Sequence, residues 1–197
     1  MRFMRITVAI IGLVFLVTGC SNDPVTPDED GILTVTMDDT KFTPAEIDLK
    51  VGEPVRLILH NKSETQDLGF RIGSVPTSQT GSVNGFTEDF FKGVEVKVIG
   101  PAKLITVGEA ILTREGDGAV EESDGRNTNG DPGFTVLKGS SSEATVIEFV
   151  VPDKWELEWE FASFGDGGNS YEDGLRGVLK VFPCIRAGGA WGQKNAC

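Results

Sequence analysis

The chain has 197 residues, 39% of them hydrophobic, and its 30 acidic against 18 basic residues give a net charge of −12. That is enough apolar material for one packed domain. The negative charge argues against a nucleic-acid ligand and against direct electrostatic attachment to anionic lipid.

Residues 1–19 read as a leader rather than as part of the fold. Arg2 and Arg5 form a basic start, and Ile6 to Val17 is an apolar run. At about 12 residues it is shorter than the ~20 that a spanning helix needs. Val17-Thr18-Gly19-Cys20 then places small residues before a cysteine. This order resembles the bacterial lipobox, which implies lipidation of Cys20 as the mature N-terminus. An ordinary secretory signal that happens to end near a cysteine is the alternative. Cleavage before Cys20 leaves 178 residues and removes two basic ones, taking the net charge near −14. Partners are then the membrane, through the lipid, and an envelope protein. The chain is expected to be exported and held at the cell envelope.

Residues 20–31 are polar, acidic and proline-containing, and predict a flexible tether reaching about 20 Å. The domain spans 32–183. Leu33, Val35 and Met37 alternate with threonines, Glu46 to Lys50 is a short strand, and Val55, Leu57 and Leu59 alternate with Arg56, Ile58 and His60. These are period-2 patterns of strands with one buried face. Asn61-Lys62-Ser63 breaks the run, and Gly69 to Ile72 resumes it. Phe86 to Phe91 reads as a short helix or turn, Val94 to Val98 as a strand, and Leu104 to Thr113 as one more. Residues 112–133 are an enlarged, acidic, Gly/Asn-rich insert. Leu157, Trp159 and Phe161 alternate with glutamates, and Gly177 to Val181 is the last strand. No long helix is evident. Short strands punctuated by turns predict an all-β, antiparallel Greek-key sandwich.

Residues 184–197 form a Gly-rich tail bounded by Cys184 and Cys197. In an oxidising compartment these two predict a disulfide. Closing so short a loop contributes about 3 kcal/mol in the chain-entropy model.

The order strand, Phe42-Thr43-Pro44, short strand, Val51-Gly52-Glu53, apolar strand, Asn61-Lys62 resembles the N-terminal half of plastocyanin/azurin-type cupredoxins. The aromatic strand Trp159-Glu160-Phe161-Ala162 and the exit Tyr171 to Gly177 resemble its C-terminal half. Residues 73–143 match it poorly. The resemblance implies a cupredoxin-like sandwich and aligns the family's four copper ligands with Leu68, Ala162, Ser170 and Leu175. A type 1 site requires two imidazoles and a thiolate, and the chain has one histidine, His60. The count argues against that site and predicts no copper cofactor and no metal ligands. It favours a binding or interaction module over an enzyme. No phosphate loop, nucleophile elbow or His-Glu-x-x-His pattern is present.

Three further readings stay open on residues alone. Copper binding or electron transfer through unusual ligands, or a site shared between chains, is one. A calcium-stabilised loop is another, since Asp117, Glu121, Glu122, Asp124, Asn127, Asn129 and Asp131 offer oxygen donors. Arg126 breaks the EF-hand spacing there. The third is an interaction patch of Phe86, Phe90, Phe91, Phe164 and Tyr171 if these are exposed together; if buried, they cap the sandwich. His60 reads as a surface or second-layer residue, and Met37 as core.

Overall fold

Alternating apolar and polar residues lay down the first strands. In β1 (Ile32–Met37), Leu33, Val35 and Met37 are buried; in β4 (Pro54–Asn61), Val55, Leu57 and Leu59 are. The computed structural model describes residues 23–79, 81–100, 102–106, 111–115, 133–136, 144–155, 157–164 and 169–183. The remaining elements are β2 (Phe42–Thr43), β3 (Glu46–Lys50), β5 (Leu68–Gln79), β6 (Ser82–Asp89), β7 (Glu95–Ile99), β8 (Ala102–Thr106) and β9 (Ile111–Glu115). They continue with β10 (Gly133–Val136), β11 (Thr145–Val150), β12 (Glu158–Ala162), the single-turn helix α1 (Asn169–Glu172) and β13 (Arg176–Phe182).

One sheet has the order β2-β1-β4-β11-β7-β9, the other β3-β13-β12-β5-β10-β8 with β6 paired to β5. The all-β sandwich expected from the sequence is the fold. Most neighbours are antiparallel, but β1–β4, β3–β13 and β7–β9 run parallel, so the sandwich is mixed rather than wholly antiparallel.

Aromatic rings fill the space between the sheets. Phe42, Phe70 and Phe161 meet with centroids 5.1–6.0 Å apart. Phe90 stands edge-on to Phe91, Phe149 and Trp159 at 5.2, 6.0 and 5.3 Å. Each such pair adds about 0.5–1.5 kcal/mol beyond the area it buries.

Four expectations are corrected. The first concerns the tether, because residues 25–31 are fastened to the domain. Val25 bridges Ile47 of β3, donating to the Glu46 carbonyl at 3.1 Å and accepting from the Asp48 amide at 3.0 Å. Asp28 Oδ1 accepts the amides of Asp30 and Ile32 at 3.0 and 2.8 Å, closing a turn into β1. Polar composition hid this, because strand pairing uses backbone groups that every residue carries.

Second, Phe86 to Asp89 belongs to β6 and only Phe90-Phe91 is turn, so no helix forms there. Third, the 104–113 region contributes to two strands, β8 and β9, and the span taken as an insert begins in β9 and ends at the start of β10. Fourth, Leu157 is exposed although it continues the Trp159/Phe161 alternation. It precedes β12, and its carbonyl accepts the Val181 amide at 2.8 Å. Cys20, Asp117, Glu121, Glu122, Asp124, Asn127, Asn129, Asp131, Cys184 and Cys197 lie outside the described residues.

Candidate functional site

The loop from β4 to β5 is shaped by Asn61, a buried residue whose side-chain amide works as a local template. Its Oδ1 accepts the Ser63 amide at 2.8 Å and its Nδ2 donates to the Gln66 carbonyl at 3.1 Å. Ser63 Oγ then accepts the Gln66 amide at 3.0 Å. This Asx-type turn delivers Leu68 to the start of β5.

Ser163, one residue beyond β12, ties that start to the far end of the chain. Its hydroxyl accepts the Gly69 amide at 3.1 Å, and its own amide donates to the Leu175 carbonyl at 3.1 Å. The Leu175 amide donates in turn to the Ser170 carbonyl at 2.9 Å. Leu68, Ala162, Ser170 and Leu175 therefore do converge on one end of the sandwich. Leu68, Ala162 and Leu175 are 0% exposed and Ser170 8%. Leu68 and Leu175 join the main core, and Ala162 joins a smaller cluster with Phe86 and Tyr171.

Ala162 follows Phe161 along β12, so it points to the opposite face of the sheet. That outer face is covered by the β5–β6 arm and by α1. Gly73 makes the cover possible: a β-carbon there would lie 2.5 Å from Phe86 Cβ and from the Glu88 carbonyl. At Val75 the strand takes φ 57°, which is rare for a β-branched residue.

Of the two readings open for these aromatics, an exposed patch or buried caps of the sandwich, the structure has them in the cover and the core. Phe86, Phe90, Phe91 and Tyr171 are 0–5% exposed, and Phe164 is half-buried. Phe90 and Phe91 pack between the sheets. Phe86 stands edge-on to Phe164 at 5.0 Å, and Phe164 stacks on Tyr171 at 5.3 Å. Their apolar area gains more from contact with Ala162 than from exposure, about 1.5–3 kcal/mol for a fully buried ring.

Two guanidinium groups extend this stack. Arg71 Cζ lies 5.5 Å from the Phe164 centroid, and Arg176 Cζ lies 5.0 Å from that of Tyr171. Both arginines are register neighbours of Ala162, one on each flanking strand. Tyr171 donates its hydroxyl hydrogen to Glu160 Oε2 at 2.7 Å and accepts from Arg176 Nη1 at 3.2 Å. Burial, then the Glu160 carboxylate, raise the Tyr171 phenol above its ordinary 10.0, although Arg176 opposes them.

Among the described residues there is no group of three or more His, Cys, Asp or Glu side chains able to hold an ion. His60 is half-buried on β4, opposite Thr36 in register and on the face away from Val55, Leu57 and Leu59. Met37 is fully buried in the core. The residues at the ligand-matching positions do not fit a type 1 copper ion.

The six-stranded sheet carries a separate open cleft of about 880 Å³, lined among others by Arg56, Glu95, Lys97, Glu148 and Val150. Glu148 sits between two cations there, 3.5 Å from Arg56 Nε and 3.6 Å from Lys97 Nζ. Sequence reasoning missed this trio, because it joins three strands and has no local spacing. It also missed Ser163, whose serine side chain is ordinary in sequence and specific only through its partners.

Two sheets in this order, with the Asn61 turn, Leu68, Ala162 and Leu175 gathered at one end, form an all-β sandwich consistent with the cupredoxin resemblance. Residues 7–80 match the family described as the cupredoxin-like domain. Among solved structures, auracyanin B is similar at 17% identity and TM-score 0.42, over 82% of this chain and 91% of its own. Reduced auracyanin from Roseiflexus castenholzii is similar at 13% identity and TM-score 0.43, over 78% of this chain and 98% of its own. The McoA multicopper oxidase of Aquifex aeolicus is similar at 9% identity and TM-score 0.45, over 81% of this chain and 31% of its own. No curated protein matches the chain.

Proposed function

We propose that this protein is a lipid-anchored, exported binding module whose cupredoxin-like sandwich has no type 1 copper site, and that it is not an enzyme. The observation that carries the reading is the packing at the four ligand-matching positions. Leu68, Ala162 and Leu175 offer no lone pair to a metal, and Ser170 is a hard, neutral oxygen where a soft or imidazole ligand is needed. All four are buried. The single histidine, His60, lies on the other sheet.

On this reading Cys20 carries the lipid, Cys184 and Cys197 pair in the tail, and an envelope protein is the partner. The cleft around Arg56, Glu148 and Lys97 offers such a partner mixed charge around the exposed Val150.

Titrating the mature domain with Cu(II) tests the central claim. The expected result is no intense visible absorption, and a strong blue band would overturn it. Mass spectrometry of membrane-extracted protein should show a lipid mass on Cys20 that Cys20→Ala abolishes.

A further inference from the structure

The Val25 bridge fixes where the chain enters the domain, and hence which end lies nearest an anchor at Cys20. Val25 runs parallel to β3, bonded on either side of Ile47. Going backwards from Val25, the chain heads toward the first residue of β3. β3 is parallel to β13, with Glu46 opposite Val178. The entry point is therefore at the end where β13 begins and antiparallel β12 finishes. That is the end holding Ala162, Leu175 and α1. Four residues lie between Cys20 and Val25, and the five steps from one to the other span only about 17 Å even when fully extended.

We propose that this end of the sandwich faces the lipid bilayer and that the opposite end, carrying Trp155, Leu157 and Phe182, faces away. The inference rests on the reading of Cys20 as the lipidated residue. It commits the end around Ala162 and α1 to the headgroup region and presents three exposed apolar side chains, Trp155 at 98% exposure, to the aqueous side. The two ends are about 20 Å apart, the length of β13 at ~3.3 Å per residue. The short tether imposes the orientation. The acidic residues of the membrane-facing end, among them Asp38, Asp39, Glu64, Asp67, Glu172 and Asp173, outnumber its cations Lys41, Lys62, Arg71 and Arg176, so the balance toward anionic lipid is repulsive within a Debye length of about 8 Å at physiological salt.

Energy transfer to an acceptor-labelled lipid tests the orientation. Full-length lipidated protein is reconstituted in phosphatidylcholine vesicles, with a fluorescent amino acid placed at Asp173 in one variant and at Trp155 in another. Both positions are exposed, so the fold tolerates the change. The expected result is severalfold greater transfer from position 173 than from position 155. Inserting ten Gly/Ser residues between Asn22 and Asp23 should lower the first and bring the two together. Equal or reversed efficiencies in the native-length protein overturn the orientation while leaving lipidation intact. Vesicle flotation, read first, separates the other failure: protein that floats no better than Cys20→Ala removes the anchor, and this inference with it.

Discussion

Ser163 and Gly69 meet between neighbouring strands, the serine hydroxyl accepting the glycine amide at 3.1 Å while the serine amide holds the Leu175 carbonyl at the same distance. One fully buried hydroxyl thus joins the start of β5 to the end of β12 and the entry to β13. Removing it leaves the Gly69 amide without this acceptor. Ser163→Ala is expected to destabilise the domain by about 1–3 kcal/mol, the penalty of stranding a buried donor. Urea unfolding measures it. A cost under about 0.5 kcal/mol would mean that the amide finds another partner and that Ser163 is not the tie described.

Gly73 bears on the cover over Ala162. A methyl group there has no room, because Phe86 Cβ and the Glu88 carbonyl both lie 2.5 Å from it. Gly73→Ala should displace the β5–β6 arm and cost about 1–3 kcal/mol through overpacking. Gly177→Ala is the control in the main core, where the new carbon meets Phe161 and the Ala45 carbonyl, the latter at 2.6 Å. Both should destabilise, but only Gly73→Ala should loosen Phe86. Faster amide exchange confined to residues 82–89 would show it. If exchange rises equally in β12 and β13, the arm is not an independent cover.

The division between what was legible in the sequence and what was not follows from where each residue's energy comes from. β1, β4 and β7 bury one face against the other sheet, so hydrophobicity alternates and the strands can be read directly. Gly177, Leu179 and Val181 of β13 follow the same rule. The convergence of Leu68, Ala162 and Leu175 was legible only through the family resemblance, because Ser163 makes it with a side-chain hydroxyl that reaches the Gly69 amide across 94 residues. The β5–β6 arm was not legible. Its Ser74 to Ser78 stretch is polar or exposed, and its course depends on Gly73, which has no hydrophobic signature. Phe86, Phe90 and Phe91 are close in sequence yet enter two clusters, since strand β6 ends between them and reverses which side they face.

Val75 stores a small strain that can be relieved without touching the core. It is the one non-glycine residue with positive φ among those described, at 57°, and it is 62% exposed. The left-handed conformation costs an L-residue about 1–2 kcal/mol, and asparagine least among side-chain-bearing residues. Val75→Asn is therefore expected to stabilise the protein by about 0.5–1 kcal/mol, seen as a rise in Tm. A fall in Tm would show that the valine makes contacts worth more than the strain.

Tyr171 reports on the cover directly, because it is the only tyrosine in the chain. Ultraviolet absorbance of tyrosinate therefore titrates this one group in the folded protein. Burial first, and then the hydrogen bond to Glu160, favour the neutral phenol, so the folded midpoint should lie above 10.0. A phenol that holds its proton more tightly when folded contributes stability that is complete below pH 10 and is lost as pH rises through the folded value. The protein should accordingly weaken on the alkaline side, and Tyr171→Phe should flatten that limb of the stability curve. Glu160→Gln removes the carboxylate and should bring the midpoint down while Arg176 stays in place. A midpoint at or below 10.0 in the native protein, or one unmoved by Glu160→Gln, would mean that Arg176 dominates and that the phenol is not held neutral by its neighbours.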